Sequence, residues 1–303
     1  MTSDRMPLIA SAVVLGAGIT WGFYWMPVRA LTALGVAGGW GTVLILAATL
    51  VILTPMIALR PRMLRASPLA LASVALGGAA FALYSVGLVY GRVAIIILVF
   101  FLTPVWSTLI GRFLMGWHTP RLRIVAIVLG LAGLGIMLSA TGDLPLPRGA
   151  GEWMSLIAGV LWAFATTGMR VTQGPGPVAS VFVFAVAAFV TTVVLVPLLD
   201  PAPFVAEQPV RIGLIALATG GAWWALSVGC LMWATPKLDP ARVGVLMMIE
   251  VIVGAASAAL LAGEHLAPLE IAGGVLVVLA GVVEVWPVRE AKKDAPPVTA
   301  GRR

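Results

Sequence analysis

The chain of 303 residues is 61% hydrophobic and 10% charged, with a formal net charge of +7. A globular domain carries about 25% charged residues, so this composition excludes an ordinary water-soluble domain. The sequence lacks a Gly-x-x-x-x-Gly-Lys-Ser/Thr loop, which excludes a nucleotide-hydrolysing domain of the P-loop type. Any energy that the protein uses must then come from an ion or substrate gradient or from a partner protein.

Long apolar stretches follow one another along the whole chain. A helix that crosses a bilayer needs roughly 20 apolar residues, and ten stretches of that kind are joined by short connections. We therefore predict an all-α polytopic membrane protein with ten transmembrane helices. The predicted spans lie near residues 7–28, 36–58, 69–90, 93–115, 122–141, 151–171, 178–199, 212–235, 241–262 and 267–287.

The basic residues are distributed unevenly between the two sides of the predicted bundle. Fifteen of the 19 lysines and arginines fall on the side of the N terminus, and the other four are Arg29, Arg92, Arg148 and Arg211. Positive charge accumulates on the cytoplasmic side of membrane proteins, so both termini are predicted to be cytoplasmic. This placement argues against nucleic acid as a partner and favours membrane lipid, anionic lipid in particular.

The ten predicted spans form two sequence-related units of five spans each. Trp21 precedes Arg29 by eight residues at the end of the first span, as Trp162 precedes Arg170 at the end of the sixth. Two further matches pair Ser85-Val86-Gly87 with Ser227-Val228-Gly229, and Gly116-x-His118 with Gly263-x-His265. The offsets of 141, 142 and 147 residues occur in the same order along the chain. We predict a five-helix repeat in residues 1–145, a second in 146–288 and a short basic cytoplasmic tail in 289–303.

An odd number of spans per repeat has a topological consequence. The second repeat enters the membrane from the opposite side, and such inverted repeats are typical of secondary transporters, which hold substrate near the midplane between the halves. This organisation predicts alternating access, with a small molecule as partner. Neither a cofactor nor an ATPase subunit is indicated by the sequence.

Glu250 lies near the middle of the predicted ninth span. A charged side chain at the bilayer centre costs roughly 2.5–3.5 kcal/mol on insertion scales, and intramembrane acids are functional hypotheses by default. Glu250 precedes Gly263 by thirteen residues, as Thr103 precedes Gly116, so Glu250 and Thr103 are predicted at equivalent depths. We expect Glu250 to transfer protons or to bind a substrate ammonium group, the alternative being a hydrogen-bonded acid that joins helices.

Pro104 lies at the centre of the fourth span, where a proline removes a backbone hydrogen bond and bends the helix. We predict a hinge at Pro104, and a tolerated bend is the alternative. Thr103 and Ser227 are candidate hydrogen-bonding groups for a substrate, although small polar residues more often join helices.

Aromatic side chains lie deeper in the spans than an interfacial belt explains. Stacking on a ring or covering a cation is the function that we expect of them, and ordinary helix packing is the alternative. Trp223 and Trp224 point about 100° apart on a helix, so only one of the two is expected to face a cavity. The aromatic candidates are Trp21, Tyr24, Tyr84, Trp106, Trp162 and Trp223.

Other kinds of site are not indicated. His118 and His265 lie 147 residues apart without metal-ligand spacing, and no catalytic constellation is readable, so neither a metal site nor an enzyme is expected. Glycines in spans five and ten, Gly130, Gly133, Gly135 and Gly273-Gly274, permit close helix contacts. These contacts either pack the bundle or form a homodimer.

Several segments resemble a known group of transporters. They are the Trp21-Gly22 start, Leu102-Thr103-Pro104-Val105 leading to Gly116-Trp117-His118, and Leu261-Ala262-Gly263-Glu264-His265 followed by Gly273-Gly274 and Gly281. Over roughly residues 8–287 the chain resembles the drug/metabolite transporter superfamily in its ten-span EamA-type branch. Trp117 replaces the acidic residue of the family pattern, which is a departure. Length and aromatic-rich helices most resemble the bacterial aromatic amino acid exporter subgroup.

The resemblance implies export of small metabolites across the cytoplasmic (inner) membrane of a bacterium, with aromatic or large apolar amino acids favoured. No lysine or arginine lies near the middle of a span, which disfavours multiply charged anions. One acid with several aromatic rings serves a lipophilic cation equally well, so a multidrug exporter of the same fold is an alternative. A non-transporting membrane scaffold or channel subunit is the alternative from another class.

Overall fold

The computed structural model describes residues 5–116, 121–140, 146–199, 207–234, 237–238 and 240–285. Within these ranges the chain is helical and contains no strand. Eight helices are long and apolar enough to cross a membrane. Two shorter apolar helices, Leu246–Leu261 and Pro268–Val283, lie where the ninth and tenth spans were predicted. The all-helical membrane fold is therefore confirmed, whereas ten spans and cytoplasmic termini stay predictions.

Seven helices lie in the described part of the first half, and we number them in chain order. They are α1 (Arg5–Gly22), α2 (Trp25–Ala33), α3 (Trp40–Leu59), α4 (Pro68–Tyr90), α5 (Val93–Phe100), α6 (Thr103–Phe113) and α7 (Arg121–Leu138), with a short 3-10 turn at Pro61–Leu64. α1 with α2 forms the first candidate span, and α5 with α6 forms the fourth.

The second half contains six helices and a wider π-helical segment. The helices are α8 (Ala150–Val171), α9 (Pro177–Leu199), α10 (Pro209–Thr219), α11 (Val228–Ala234), α12 (Pro240–Leu261) and α13 (Pro268–Val285). The π segment, Gly220–Ser227, joins α10 to α11 within the eighth candidate span.

Prolines explain the two interrupted spans. Pro27 cannot donate a hydrogen bond to the carbonyl of Phe23, four residues earlier, and the helix is interrupted between Gly22 and Trp25. Pro104 stands in the same relation to Phe100, and the helix is interrupted at Phe101 and Leu102. A break in membrane-embedded helix is tolerated where protein surrounds it, so both breaks mark the interior of the bundle.

The two predicted halves meet along several helices. α4 packs against α8 and α9, α1 packs against α12, and α5 packs against both α8 and α12. The largest cluster of buried apolar side chains draws on both halves at these contacts. The centre of the bundle is thus an interface between the halves.

α7 and α13 cross at a pair of glycines. A Cβ atom added to Gly133 would lie 2.6 Å from the carbonyl oxygen of Gly273, and one added to Gly273 would lie 2.5 Å from that of Gly133. These two glycines are therefore used for packing within the chain, while the homodimer stays a prediction. The reciprocal contact joins residues 140 apart, as an inverted repeat predicts at its axis; the repeat itself stays a prediction.

Candidate functional site

A group of aromatic rings, which we call the aromatic cluster, fills the interface between the halves. Phe81 of α4 lies at its centre, with its ring centroid 4.7 Å from that of Trp21 and 5.3 Å from that of Tyr84. Four more rings have centroids 5.8 Å from that of Phe81, namely Phe100, Trp162, Phe184 and Trp224. Tyr24 joins the cluster through Trp21, at 4.9 Å. Such tilted and edge-on contacts add about 0.5–1.5 kcal/mol each beyond burial, so the cluster holds the halves in a specific arrangement.

Hydroxyl groups form a buried chain at one edge of the aromatic cluster. Nε1 of Trp224 donates a hydrogen bond to the Tyr24 hydroxyl at 3.1 Å. The Tyr24 hydroxyl and Oγ of Ser85 lie 2.9 Å apart, and Oγ of Ser85 lies 2.9 Å from Oγ1 of Thr42. Buried polar groups require such partners, so this chain fixes the first span, α3, α4 and the π segment relative to one another.

Glu250 of α12 lies in the interior beside the interrupted first span. Its side chain is 4% exposed, and its Oε1 atom has no hydrogen-bond partner within the described part of the chain. A Cβ atom added to Gly18 of α1 would lie 3.7 Å from the backbone nitrogen of Glu250. Gly22 packs against the same helix, because a Cβ atom added to it would lie 2.7 Å from Val253. Glu250 therefore lies beside the stretch of α1 that supplies Trp21 to the aromatic cluster.

The chemistry of Glu250 follows from this environment. A buried carboxylate without a partner is costly. The group is therefore suited to hold a proton or to meet a cationic group that binds beside it.

The structure places the two adjacent tryptophans differently. Trp224 is fully buried in the aromatic cluster, whereas Trp223 is partly exposed and donates from Nε1 to the carbonyl of Thr20 at 2.7 Å. Trp224 is thus the member of the pair that belongs to the aromatic cluster, and a substrate-facing function for Trp223 stays a prediction. Trp162 and the other predicted members, Trp21, Tyr24 and Tyr84, do lie in the cluster.

The candidates of the fourth span lie at its interruption. Thr103 donates from Oγ1 to the carbonyl of Phe100 at 2.7 Å. This bond satisfies the carbonyl that receives no backbone hydrogen bond from Pro104, because proline has no N–H group. Pro104 is the second residue of α6, immediately after the interruption, and its function as a hinge stays a prediction. Trp106 makes no ring contact with the aromatic cluster that the described residues show, and packs instead near Leu102. Its Nε1 atom is buried without a partner there.

Ser227 differs from its sequence counterpart Ser85. Ser85 is fully hydrogen bonded in the hydroxyl chain. Ser227, the last residue of the π segment, is 7% exposed, and its Oγ atom is buried without a partner in the part of the chain described. π-helical turns are frequent at functional sites. The Ser227 hydroxyl is therefore free to hydrogen bond a ligand.

Several members of the site were missed from the sequence. They are Thr42, Phe81, Ser85, Phe100 and Phe184. Phe81 precedes Tyr84 by three residues and so lies on the same helix face, which is a signal that identifies it once Tyr84 is chosen. Phe184 is one phenylalanine among ten and has no comparable signal.

A set of ion pairs joins the halves at the predicted outer end of the bundle. The Glu264 carboxylate accepts hydrogen bonds from the backbone nitrogens of Val93 at 2.7 Å and Ala94 at 3.1 Å, and lies 3.3 Å from Nη2 of Arg29. Arg92 pairs with Glu270 and donates to the carbonyl of His265 at 2.6 Å. A carboxylate at the N terminus of α5 is favoured by the helix dipole. We call these contacts the cross-half latch; Trp117 and His118 lie outside the described residues.

Metal-ligating side chains do not gather in the described ranges, where no group of three or more His, Cys, Asp or Glu residues is close enough to hold an ion. His265 contributes its backbone carbonyl to the cross-half latch. Cys230, in α11, is a free thiol.

Comparison with known proteins agrees with this architecture. A solved structure described only as a crystal structure of a protein shares 18% identity, with a TM-score of 0.57 over 90% of this chain and 95% of its own. At that identity the likeness establishes the fold alone. No curated protein matches the chain. The EamA-like transporter family model matches residues 149–285. This chain is therefore a multi-pass membrane protein that contains an EamA-like transporter domain.

Proposed function

We propose that this protein is a secondary transporter that exports small metabolites by alternating access across the bacterial cytoplasmic membrane. Amino acids with aromatic or large apolar side chains are the substrates that we favour. The presence of an EamA-like domain supports transport of small molecules, whereas the direction follows from the resemblance of the sequence.

One observation carries the proposal: an unpaired buried carboxyl group stands beside a cluster of aromatic rings at the interface between the halves. The Oε1 atom of Glu250 has no partner in the described chain. The helix that carries Glu250 packs against Gly18 and Gly22 of α1, on either side of Trp21, whose ring lies 4.7 Å from that of Phe81 by their centroids. An amino acid brings the complementary groups, because its ammonium suits the carboxylate and its side chain suits the rings.

Binding requires the halves to separate. In the conformation described, the rings of the aromatic cluster contact one another directly, with Phe81 at their centre. A substrate of amino-acid size has to displace these ring contacts. At the interruptions before Trp25 and Thr103 regular helical hydrogen bonds are already absent, so a change of span direction at these two places would break none of them. We propose that the interruption beside Pro104 acts as the hinge.

A second candidate substrate is a lipophilic organic cation. It is favoured by the absence of lysine and arginine near the middle of the spans, since nothing cationic is fixed there to receive an amino acid carboxylate. The Ser227 hydroxyl is a neutral group that could donate a hydrogen bond to the substrate carboxylate in place of a cation. Cation binding needs Glu250 and the rings alone.

Counterflow in proteoliposomes tests the proposal. Vesicles loaded with unlabelled phenylalanine are diluted into labelled phenylalanine, with an excess of unlabelled phenylalanine, threonine or tetraphenylphosphonium outside as competitor. We expect uptake of label that phenylalanine blocks more strongly than the cation does. Uptake of labelled tetraphenylphosphonium alone would establish the second candidate, and no uptake of either would contradict transport and favour a scaffold.

A further inference from the structure

An apolar groove lies on the lipid-facing surface between α3, α9 and the π segment with α11. It encloses about 260 Å³. Its walls include Ile52 and Met56 from α3, Val178 and Val181 from α9, and Gly221 and Gly229 from the eighth span. Met56 is 48% exposed, so the groove is open to the surroundings of the bundle. In a membrane those surroundings are acyl chains.

Three arginines stand at one end of this groove. Arg60 is the residue that follows the last residue of α3, Leu59, so it stands at the end of the helix that forms this wall of the groove. Arg62 lies in the 3-10 turn that follows, and Arg65 comes directly after it. That turn packs against α9, which forms the opposite wall.

The charges of these arginines are not neutralised within the protein. Arg60, Arg62 and Arg65 are exposed. None of the three makes an ion pair or a side-chain hydrogen bond with the residues that the structure describes. From Ile52 to Leu59, the last residue of α3, the helix rises about 10 Å, which is within the thickness of one hydrocarbon leaflet of about 15 Å. Charge and apolar surface are thus spaced as in a phospholipid.

We propose that this groove is a binding site for an anionic phospholipid. The phosphate is held by Arg60, Arg62 and Arg65, and one acyl chain lies against α3, α9 and the π segment. Basic clusters beside membrane helices are known to select anionic lipid through their charge. A zwitterionic lipid offers the same acyl chains without the net charge, and a soluble phosphate offers the charge without the chains.

The site joins the two predicted halves. α3 belongs to the first half, whereas α9 and the π segment belong to the second. The π segment also contains Trp224 and Ser227 of the candidate site. A lipid bound in the groove therefore contacts the same segment that supplies the aromatic cluster, whatever the transported substrate is.

Native mass spectrometry of the purified full-length protein tests this proposal. The protein is titrated with phosphatidylglycerol or with phosphatidylcholine of the same acyl chains, and the bound lipid is counted. We expect phosphatidylglycerol to be retained preferentially. The double variant Arg60→Gln/Arg62→Gln is expected to bind it about 10- to 30-fold more weakly. Arg112→Gln/Arg121→Gln makes the same charge change at two other exposed arginines and should bind as the parent does.

A second pair of variants tests the groove itself. A Cβ atom added to Gly229 or to Gly213 meets no atom within 4 Å, so both positions accept a leucine. Gly229→Leu fills the proposed lipid groove and should reduce retention of phosphatidylglycerol. Gly213→Leu fills a different apolar groove, between α3 and α10, and should leave retention unchanged.

Three results would overturn the proposal. The first is equal retention of the two lipids by the parent protein. The second is an equal loss in the two double arginine variants, which would show a general charge effect. The third is displacement of the lipid by soluble glycerophosphoglycerol together with full retention by Gly229→Leu, which would show a phosphate site that does not use the groove.

Discussion

The cross-half latch predicts that one carboxylate controls how often the outer end of the bundle opens. Glu264→Gln keeps the size of the side chain but leaves a single acceptor oxygen. One of the N–H groups of Val93 and Ala94, which are 2.7 and 3.1 Å from the carboxylate oxygens, then loses its partner. The variant also removes the charge that faces Arg29 at 3.3 Å.

The size of the effect can be worked from these contacts. A hydrogen bond to a charged group contributes about 1.5–3 kcal/mol. The Arg29 side chain is 33% exposed, so solvent screening limits its pair to about 0–1 kcal/mol. We therefore expect Glu264→Gln to weaken the closed state by about 2 kcal/mol, which is a change of about 30-fold in the ratio of closed to open molecules.

Double electron–electron resonance spectroscopy measures the distance between two spin labels and so detects a change in the ratio of closed to open molecules. Spin labels at Ala30 and Leu269, both exposed and on opposite sides of the latch, are introduced in a Cys230→Ser background. Glu264→Gln should add a population at longer distance. Glu152→Gln is the matched control, because Glu152 accepts a backbone hydrogen bond from Arg148 at 3.0 Å within one half. An unchanged distribution in Glu264→Gln, or the same shift in Glu152→Gln, would refute this account of the latch.

Two further predictions concern packing. Ser85→Ala removes both hydrogen bonds of the Ser85 hydroxyl, at 2.9 Å each, and at about 0.6–1.7 kcal/mol per bond should destabilise the protein by about 1–3 kcal/mol. A melting midpoint in detergent unchanged from the parent would contradict this. Ser139→Ala is the control, because the Ser139 hydroxyl donates to the carbonyl of Gly135 within its own helical turn. Gly133→Leu should prevent recovery of folded protein on size-exclusion chromatography, because the Gly273 carbonyl oxygen lies 2.6 Å from the added Cβ atom. Gly135→Leu, which meets no atom within 4 Å of its Cβ, should be recovered normally, and recovery of both variants would show that α7 and α13 are not tightly apposed.

The positions of the helices were predictable because long apolar stretches need little tertiary information. The predicted fourth span, 93–115, nearly coincides with Val93–Phe113. Pro104 marked the interruption of that span, since a proline in the middle of an apolar stretch is conspicuous. Pro27 breaks the first span by the same mechanism, but it lay at the edge of the predicted stretch 7–28 and was passed over.

The site was only partly predictable because ring contacts depend on how the halves pack. Trp21, Tyr24, Tyr84 and Trp162 were selected as tryptophans and tyrosines that lie deep in the spans, and they lie together. Phe81 lacks a polar group, so nothing in its chemistry indicated that it is the central ring. The rotation of the eighth span decides between Trp223 and Trp224, and sequence spacing does not supply that rotation. Glu264 bonds to residues about 170 positions away, a pairing that only the fold reveals.

Glu250 is the centre of the functional account, and flux through a Glu250→Gln variant tests it most directly. Counterflow of labelled phenylalanine is measured with and without a pH gradient in the parent, in Glu250→Gln and in Glu207→Gln, which changes an exposed acid. The account predicts uptake in the parent and in Glu207→Gln and loss of uptake in Glu250→Gln; a response of the parent to the gradient would assign Glu250 a transported proton rather than the substrate ammonium alone. Uptake by Glu250→Gln equal to that of the parent, with no response to the gradient in either, would contradict a functional carboxylate and make Glu250 a structural residue of α12.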